Sequence, residues 1–417
     1  MQRLLIKGNK ILSGKISISG SKNATLPILA ASILGKISTI KNIPLVKDVY
    51  TMIELLKFIG LKTSINKKNN TVKIINNKIK LKPIAPYKLV KTMRAGVLVL
   101  GPLLAKYKKA KISLPGGCAI GTRPVDLHLY ALKKMGANIK IKNGYIYANA
   151  KKGLEGAKIK FPRISVGATE NAILAAAQAK GKTILLNCAI EPEIDDLILF
   201  LNNSGNLIKR SGRKILIIGA EKNLINSHNV IPDRIELGTY LIAAALIGSK
   251  IVFSRINPKI INTEIKILKK MGIKLVVSKD KITILKSKKI KKINIKTEPY
   301  PGFPTDLQAQ IMVLMTKANG ISRIKENIFE NRFMHVPELK RMGAKIEIRN
   351  NEAKIFGPQK LSGAEVMATD LRASVSLVLA GLVANNKTII NRIYHLDRGY
   401  QNLEQKLKKC NANIKRI

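Results

Sequence analysis

Apolar residues recur along this chain in three patterns. Stretches such as Asn171-Ala172-Ile173-Leu174-Ala175-Ala176-Ala177 and Ser374-Val375-Ser376-Leu377-Val378-Leu379-Ala380 are apolar nearly all round, and a helix without a polar face is a buried one. Others, such as Val49 to Phe58, carry an apolar stripe beside polar positions and predict amphipathic outer helices. Short alternating runs, as in Ile139-Lys140-Ile141-Lys142 and Lys345-Ile346-Glu347-Ile348, predict half-buried strands.

The three patterns repeat in order. One helix ending recurs six times, with its fifth residue at Gly60, Gly136, Gly205, Gly272, Gly343 and Asn411, always 67 to 76 residues after the last. Gly or Asn there suits a left-handed helix C-cap, and an alternating strand follows each. In the first unit the reading is strand Ile16 to Ser19, helix Ala24 to Leu34, strand Ser38 to Ile40, helix Val49 to Phe58, then a hairpin of Lys62 to Ile65 and Val72 to Ile74. That is βαβαββ. Three units around three buried helices make one domain of about 200 residues, so six make two, with the break near Asn229 to Pro232. The expected domains are residues 21–230 and residues 1–20 plus 231–417.

The heads of the buried helices carry the candidate chemistry. They read Ser21-Lys22-Asn23, Lys91-Thr92-Met93-Arg94, Ser165-Val166-Gly167-Ala168-Thr169, Asp233-Arg234, Thr305-Asp306 and Thr369-Asp370-Leu371-Arg372. Free N–H groups, a partial positive charge and a Lys or Arg together make an anion site. Each Ser, Thr or Asp also reads as a plain N-cap worth about 1 kcal/mol. Arg at a helix start opposes the dipole, so Arg94, Arg234 and Arg372 call for anion contacts or compensating carboxylates.

Charge adds to this picture. The 417 residues hold 75 Lys and Arg against 25 Asp and Glu, a net charge of +50. Lys is spread through nearly every segment, aromatics are 4% and Trp is absent, so base-stacking platforms are scarce. The charge favours an anionic small-molecule substrate over a nucleic acid. No stretch has the roughly 18 uncharged apolar residues a membrane span needs, and the expected location is the cytoplasm. Cys118, Cys188 and Cys410 are too far apart in sequence, and too few, for a disulfide framework. The four histidines are scattered, and neither a metal nor a cofactor is expected.

Several motifs together carry a family resemblance over essentially the whole chain. Gly20-Ser21-Lys22-Asn23-Ala24, Leu114-Pro115-Gly116-Gly117-Cys118, Gly121-Thr122-Arg123-Pro124-Val125-Asp126-Leu127-His128, Phe303-Pro304-Thr305-Asp306, Glu330-Asn331-Arg332-Phe333-Met334-His335, Ala368-Thr369-Asp370-Leu371-Arg372 and Asp397-Arg398-Gly399-Tyr400 resemble the UDP-N-acetylglucosamine 1-carboxyvinyltransferase family, which is EPSP synthase-like. The resemblance implies an inside-out α/β barrel of two similar domains, each of three βαβαββ repeats around buried helices. It also implies that both termini lie in the second domain and that the active site is an interdomain cleft closing on substrates.

The implied reaction moves the enolpyruvyl group of phosphoenolpyruvate onto the 3-hydroxyl of UDP-N-acetylglucosamine with release of phosphate, the first committed step of peptidoglycan synthesis. By similarity Lys22, Asn23, Arg123, Arg332, Arg372 and Arg398 surround phosphoenolpyruvate. Asn23, Arg94, Arg123, Pro124, Val125, Asp126, Leu127, Arg163, Ile164, Ser165, Val166, Asp306 and Ile328 hold the nucleotide sugar. Cys118 on a Gly-rich lid loop is the implied proton donor, Asp306 the implied base, and Lys22 and Arg398 complete the catalytic set. Arg163 departs from the Lys usual in the family. Cys188 and Cys410 read as core. For Asp306 burial is expected to raise the carboxyl pKa and the helix dipole to oppose the rise. An EPSP synthase-type transferase is the nearest alternative, although that group lacks the Pro-Gly-Gly-Cys loop. A basic nucleic-acid-binding protein is the alternative of another class.

Overall fold

All six residues that close the repeats take positive φ: +120° at Gly60, +90° at Gly136, +101° at Gly205, +82° at Gly272, +90° at Gly343 and +71° at Asn411. Each ends an outer helix whose last turn cannot continue in a left-handed conformation, and each turns the chain into the next strand. Around Gly136 and Gly205 an added Cβ would meet nothing within 4 Å. Backbone conformation, rather than crowding, therefore selects glycine at these two positions.

The computed structural model describes residues 2–76, 81–91, 93–116, 124–220 and 226–417. These fall into two compact units, the described residues of 20–231 and those of 2–19 with 232–417. Each unit has its own apolar core.

Three buried helices occupy the middle of each unit. In the first they are α1 (Lys22–Ala31), α2 (Leu100–Tyr107) and α3 (Val166–Ala176). In the second they are α4 (Arg234–Ile247), α5 (Gln308–Met315) and α6 (Leu371–Val383). Two have a tighter beginning than the apolar pattern predicts, since 3-10 turns Arg94–Val99 and Thr305–Leu307 lead into α2 and α5. Helices α4, α5 and α6 pack on one another, as do α1, α3 and the segment 94–107. In α6 every residue from Arg372 to Val383 is buried. At about 1.5–3 kcal/mol per buried large aliphatic side chain, each unit's helices stabilise that unit's own core.

Among the described residues, three four-stranded sheets surround the helices of each unit, all of one topology. In the second repeat Ile84–Ala85 runs parallel to Lys109–Ser113, which is antiparallel to Tyr145–Asn149, itself antiparallel to Asn138–Lys142. Inward positions alternate with outward ones, as in Lys281–Leu285, where Ile282 and Ile284 are buried.

The opening strand of the first repeat corrects the sequence reading. Ile16 to Ser19 is not that strand. Strand Leu12–Ile16 runs parallel to Gly248–Ser254 in the second unit, and Asn226–Asn229, at the far end of the first unit, takes the expected place beside Ile37–Lys41. In the sixth repeat the missing hairpin strand comes from the start of the chain. Leu4–Lys7 lies between Lys387–Asn391 and Asn413–Arg416, antiparallel to both. Alternation marks a strand but carries no address for its partner, so only the tertiary structure assigns these two.

Candidate active site

Four of the six helix heads are capped as local chemistry requires. Ser21 accepts from the Ala24 amide and Ser165 from that of Ala168, both at 3.3 Å. Asp233 takes the amides of Ile235 and Glu236 at 2.8 and 2.9 Å, and Asp370 those of Arg372 and Ala373 at 2.7 and 3.1 Å. Asp306 is different. It sits inside the turn Thr305–Leu307, where the cap position belongs to Pro304 and makes no side-chain bond.

Its carboxylate instead joins two buried cations of the second unit. Arg332 Nη2 donates to Asp306 Oδ1 at 2.7 Å and Arg372 Nη2 to Oδ2 at 2.9 Å. The arginine side chains are 4% and 5% exposed and that of Asp306 is 28% exposed. The compensating carboxylate expected for Arg372 at its helix head is thus Asp306. The burial expected for Asp306 is only partial, and its carboxylate meets two buried guanidinium groups. Burial opposes the charge of Arg372, but Asp306 foremost raises its pKa above the ordinary value.

A buried hydrogen-bond network lies behind this pair. Arg372 Nη1 donates to the Tyr400 hydroxyl at 3.0 Å, and that hydroxyl lies 2.9 Å from Thr239 Oγ1. Gln310 Nε2 reaches Thr239 Oγ1 at 3.2 Å and the Asp306 carbonyl at 2.9 Å. Polar atoms buried in apolar helices need such partners. Tyr400 ends one of the motifs that carry the resemblance, whereas Thr239 and Gln310 are not marked by any of them, although a Gln or Thr inside an otherwise apolar helix is a usable signal. Arg398, half-buried, ends the 3-10 segment Ile393–Arg398 two residues before Tyr400. Ile328 is exposed on the loop preceding Arg332.

In the first unit Lys22, the first residue of α1, donates to Asp48 Oδ2 at 3.3 Å, and half-buried Asn23 follows it. Arg94 Nη2 donates to the Pro124 carbonyl at 3.2 Å. Arg163 Nη2 donates to both oxygens of Asp126, at 2.9 and 2.7 Å, in an exposed pair. The two expected ligand residues thus partner one another. Val125 and Leu127 lie in the core, which leaves their backbone as the part able to face a ligand. Ile164, Ser165 and Val166 are half-buried at the start of α3. Beneath that start lies His128, whose Nδ1 is 3.0 Å from Asn171 Nδ2. Asn171 Oδ1 in turn accepts from the Gly101 amide at 2.7 Å. Burial, with the nearby Arg94 charge, lowers the His128 pKa to about 3, so the ring is neutral and Nδ1 is the acceptor.

Cys118 and Arg123 lie outside the described residues, as does the lid loop around them. Cys188 and Cys410 are free and buried. Burial pushes the Cys188 thiol up to about 12 and that of Cys410 upward as well. Among the described residues no three His, Cys, Asp or Glu side chains gather into a metal-ligating group. No helix of the described residues is long and apolar enough to cross a membrane.

Residues 6–407 match the family model described as EPSP synthase (3-phosphoshikimate 1-carboxyvinyltransferase). The UDP-N-acetylglucosamine 1-carboxyvinyltransferase of Pelagibacter ubique (strain HTCC1062) is 62% identical over 419 residues, covering 100% of both chains. The protein of the same name from Rickettsia prowazekii (strain Madrid E) is 52% identical over 421 residues, again covering 100% of both. Among solved structures, the enolpyruvyl transferase NikO from Streptomyces tendae aligns with TM-score 0.88 at 22% identity, over 100% of this chain and 98% of the other. EPSP synthase from Acinetobacter baumannii aligns with TM-score 0.78 at 20% identity over 100% of both. Those two structures speak for the fold, and the full-length relatives for the rest: this chain belongs to the EPSP synthase family of carboxyvinyltransferases.

Proposed function

We infer that the chain transfers the enolpyruvyl group of phosphoenolpyruvate to the 3-hydroxyl of UDP-N-acetylglucosamine and releases inorganic phosphate, the first committed step of peptidoglycan synthesis. The observation that carries this reading is the full-length likeness, at 62% identity, to a relative of that activity. It favours this acceptor over shikimate 3-phosphate and over a nucleic acid. Free, buried thiols support work in a reducing cytoplasm.

Residues of both units act in the proposed mechanism. Asp306 takes the proton from the sugar 3-hydroxyl as its oxygen bonds to C2 of phosphoenolpyruvate, while Cys118 delivers a proton to C3. The resulting tetrahedral intermediate then loses a proton from C3 to the Cys118 thiolate as the C2–O bond to phosphate breaks, and the proton held by Asp306 leaves with the phosphate. The products are the enolpyruvyl ether and phosphate. Lys22, Arg123, Arg332, Arg372 and Arg398 offset the phosphate and carboxylate charges throughout. Arg332 and Arg372 stand beside the proposed base, each donating one hydrogen bond to Asp306, a pairing that favours the ionised carboxylate and lowers its basicity. Asn23, Arg94, the segment from Arg123 to Leu127, that from Arg163 to Val166, and Ile328 bind the nucleotide sugar.

The test is phosphate release requiring both phosphoenolpyruvate and UDP-N-acetylglucosamine, with no metal or nucleotide cofactor added. Turnover with shikimate 3-phosphate in place of the nucleotide sugar overturns the reading.

A further inference from the structure

Just past strand Gly320–Lys325 lies Glu326, which is 2% exposed and has no place in the mechanism above. Its Oε2 accepts from Thr305 Oγ1 at 2.9 Å. Its Oε1 accepts from Thr297 Oγ1 at 2.8 Å, the Ile328 amide at 2.8 Å and the Phe329 amide at 3.2 Å. Thr297 Oγ1 in turn accepts from the Asn327 amide at 2.9 Å. Thr305 is the residue before Asp306. The Phe329 ring lies 5.5 Å from the Arg332 guanidinium, whose Nη2 meets Asp306 at 2.7 Å. One carboxylate thus holds the turn bearing the proposed base and the loop bearing its arginine partner.

We propose that Glu326 is a positioning residue for the transfer reaction, setting Asp306 against Arg332 by tying Thr305 to the 327–329 loop. The proposal rests on Asp306 being the base. The physical reason is one of tolerance. A base must sit within hydrogen-bond reach of the proton it takes, and a short 3-10 turn without a capping side chain has little of its own to hold it there. Of the four hydrogen bonds that Glu326 accepts, three come from the two segments that must keep register and the fourth from Thr297, which itself holds the Asn327 amide. The position also fits the sheet. Asn294–Lys296 and Gly320–Lys325 run parallel, and Thr297 and Glu326 follow their carboxyl ends, where α/β sheets place ligand-binding loops.

Thr305→Val removes the hydroxyl while nearly keeping the shape, and Thr305→Ser restores it. Steady-state phosphate release should show turnover falling roughly tenfold or more in Thr305→Val, since displacement by about 1 Å costs up to about 10²-fold. Thr305→Ser should stay within about threefold of the parent. Glu326→Gln, which keeps one carbonyl acceptor for the loop amides, should lose turnover with circular dichroism unchanged. A Thr305→Val protein that is folded and turns over within twofold of the parent overturns the proposal, as do equal losses in the Val and Ser variants. It is equally overturned if Glu326→Gln lowers only the unfolding midpoint and leaves turnover per folded enzyme intact. Asp306→Asn run alongside separates the two levels: full turnover there removes the base assignment itself, independently of Glu326.

Discussion

At the scale of single residues, Asp306 carries two loads. As the proposed base it should cost roughly 10²–10⁴-fold in turnover when changed to Asn, the span expected for losing general acid–base help. Turnover within a few-fold of the parent would refute that role. Because Asp306 is not a helix cap, Asn does not conserve its structural part: an amide nitrogen would face one of two buried guanidinium groups. A lowered unfolding midpoint should therefore accompany the kinetic loss, and UDP-N-acetylglucosamine binding should be measured on the folded protein. The thiols divide as sharply. The thiolate is the reactive form, and burial raises both Cys188 and Cys410. An epoxide phosphonate analogue of phosphoenolpyruvate should therefore label Cys118 first in peptide mass mapping; equal labelling of all three would sink the donor assignment. Two buried histidines make stability pH-dependent. Burial lowers His128 to about 3 and His335 to about 4 from 6.5, so the unfolded chain binds protons that the fold refuses. Their contribution is complete above pH 6.5 and is lost as pH falls toward those values. Burial and the neighbouring Glu193 raise Glu170 instead, a contribution of opposite sign that fades as pH rises past the ordinary carboxylate range. Urea midpoints should drop between pH 6.5 and 4, and His335→Asn should flatten that slope.

At the scale of elements, the repeated helix ending is the unit of construction. Its left-handed residue adds no side-chain contact at Gly136, where an added Cβ meets nothing within 4 Å. The penalty for Gly136→Ala is thus purely conformational, roughly 1–2 kcal/mol at its φ of +90°. Denaturant unfolding should read that loss with kinetic constants unchanged, and a variant as stable as the parent would show that the turn accepts L residues freely. Asn411 at +71° performs the same turn with a side chain that tolerates the conformation. The apolar helices show the complementary rule, in which Asn171, Thr239 and Gln310 are buried only because each has partners.

At the scale of the whole molecule, residues nearly 400 positions apart complete one sheet. Leu4 pairs with Ile390 and Arg416, and Ile6 with Thr388 and Ile414. Ile6 is 0% exposed, so Ile6→Ala should cost about 2–5 kcal/mol, in a strand that holds two others in register. The loss belongs to the unit containing 232–417. A biphasic urea curve in which only that unit's transition moves is the expected record, and an equal shift of both transitions would contradict the division of the cores.

Sequence alone determined the repeat, its βαβαββ order, the buried and outer helices and the left-handed caps, because each depends on residues within a few turns of one another. Motif resemblance carried the family and named the candidate residues. Tertiary structure decided what local patterns leave open. It chose the partner strands of Leu4–Lys7 and Leu12–Ile16 within the domain already expected for residues 1–20, and it gave Asn226–Asn229 the place read for Ile16 to Ser19. It turned Asp306 from a possible cap into the shared acceptor of Arg332 and Arg372, and paired Arg163 with Asp126. Strand partners and buried charges are chosen by distance in space, on which hydrophobic periodicity along the chain is silent.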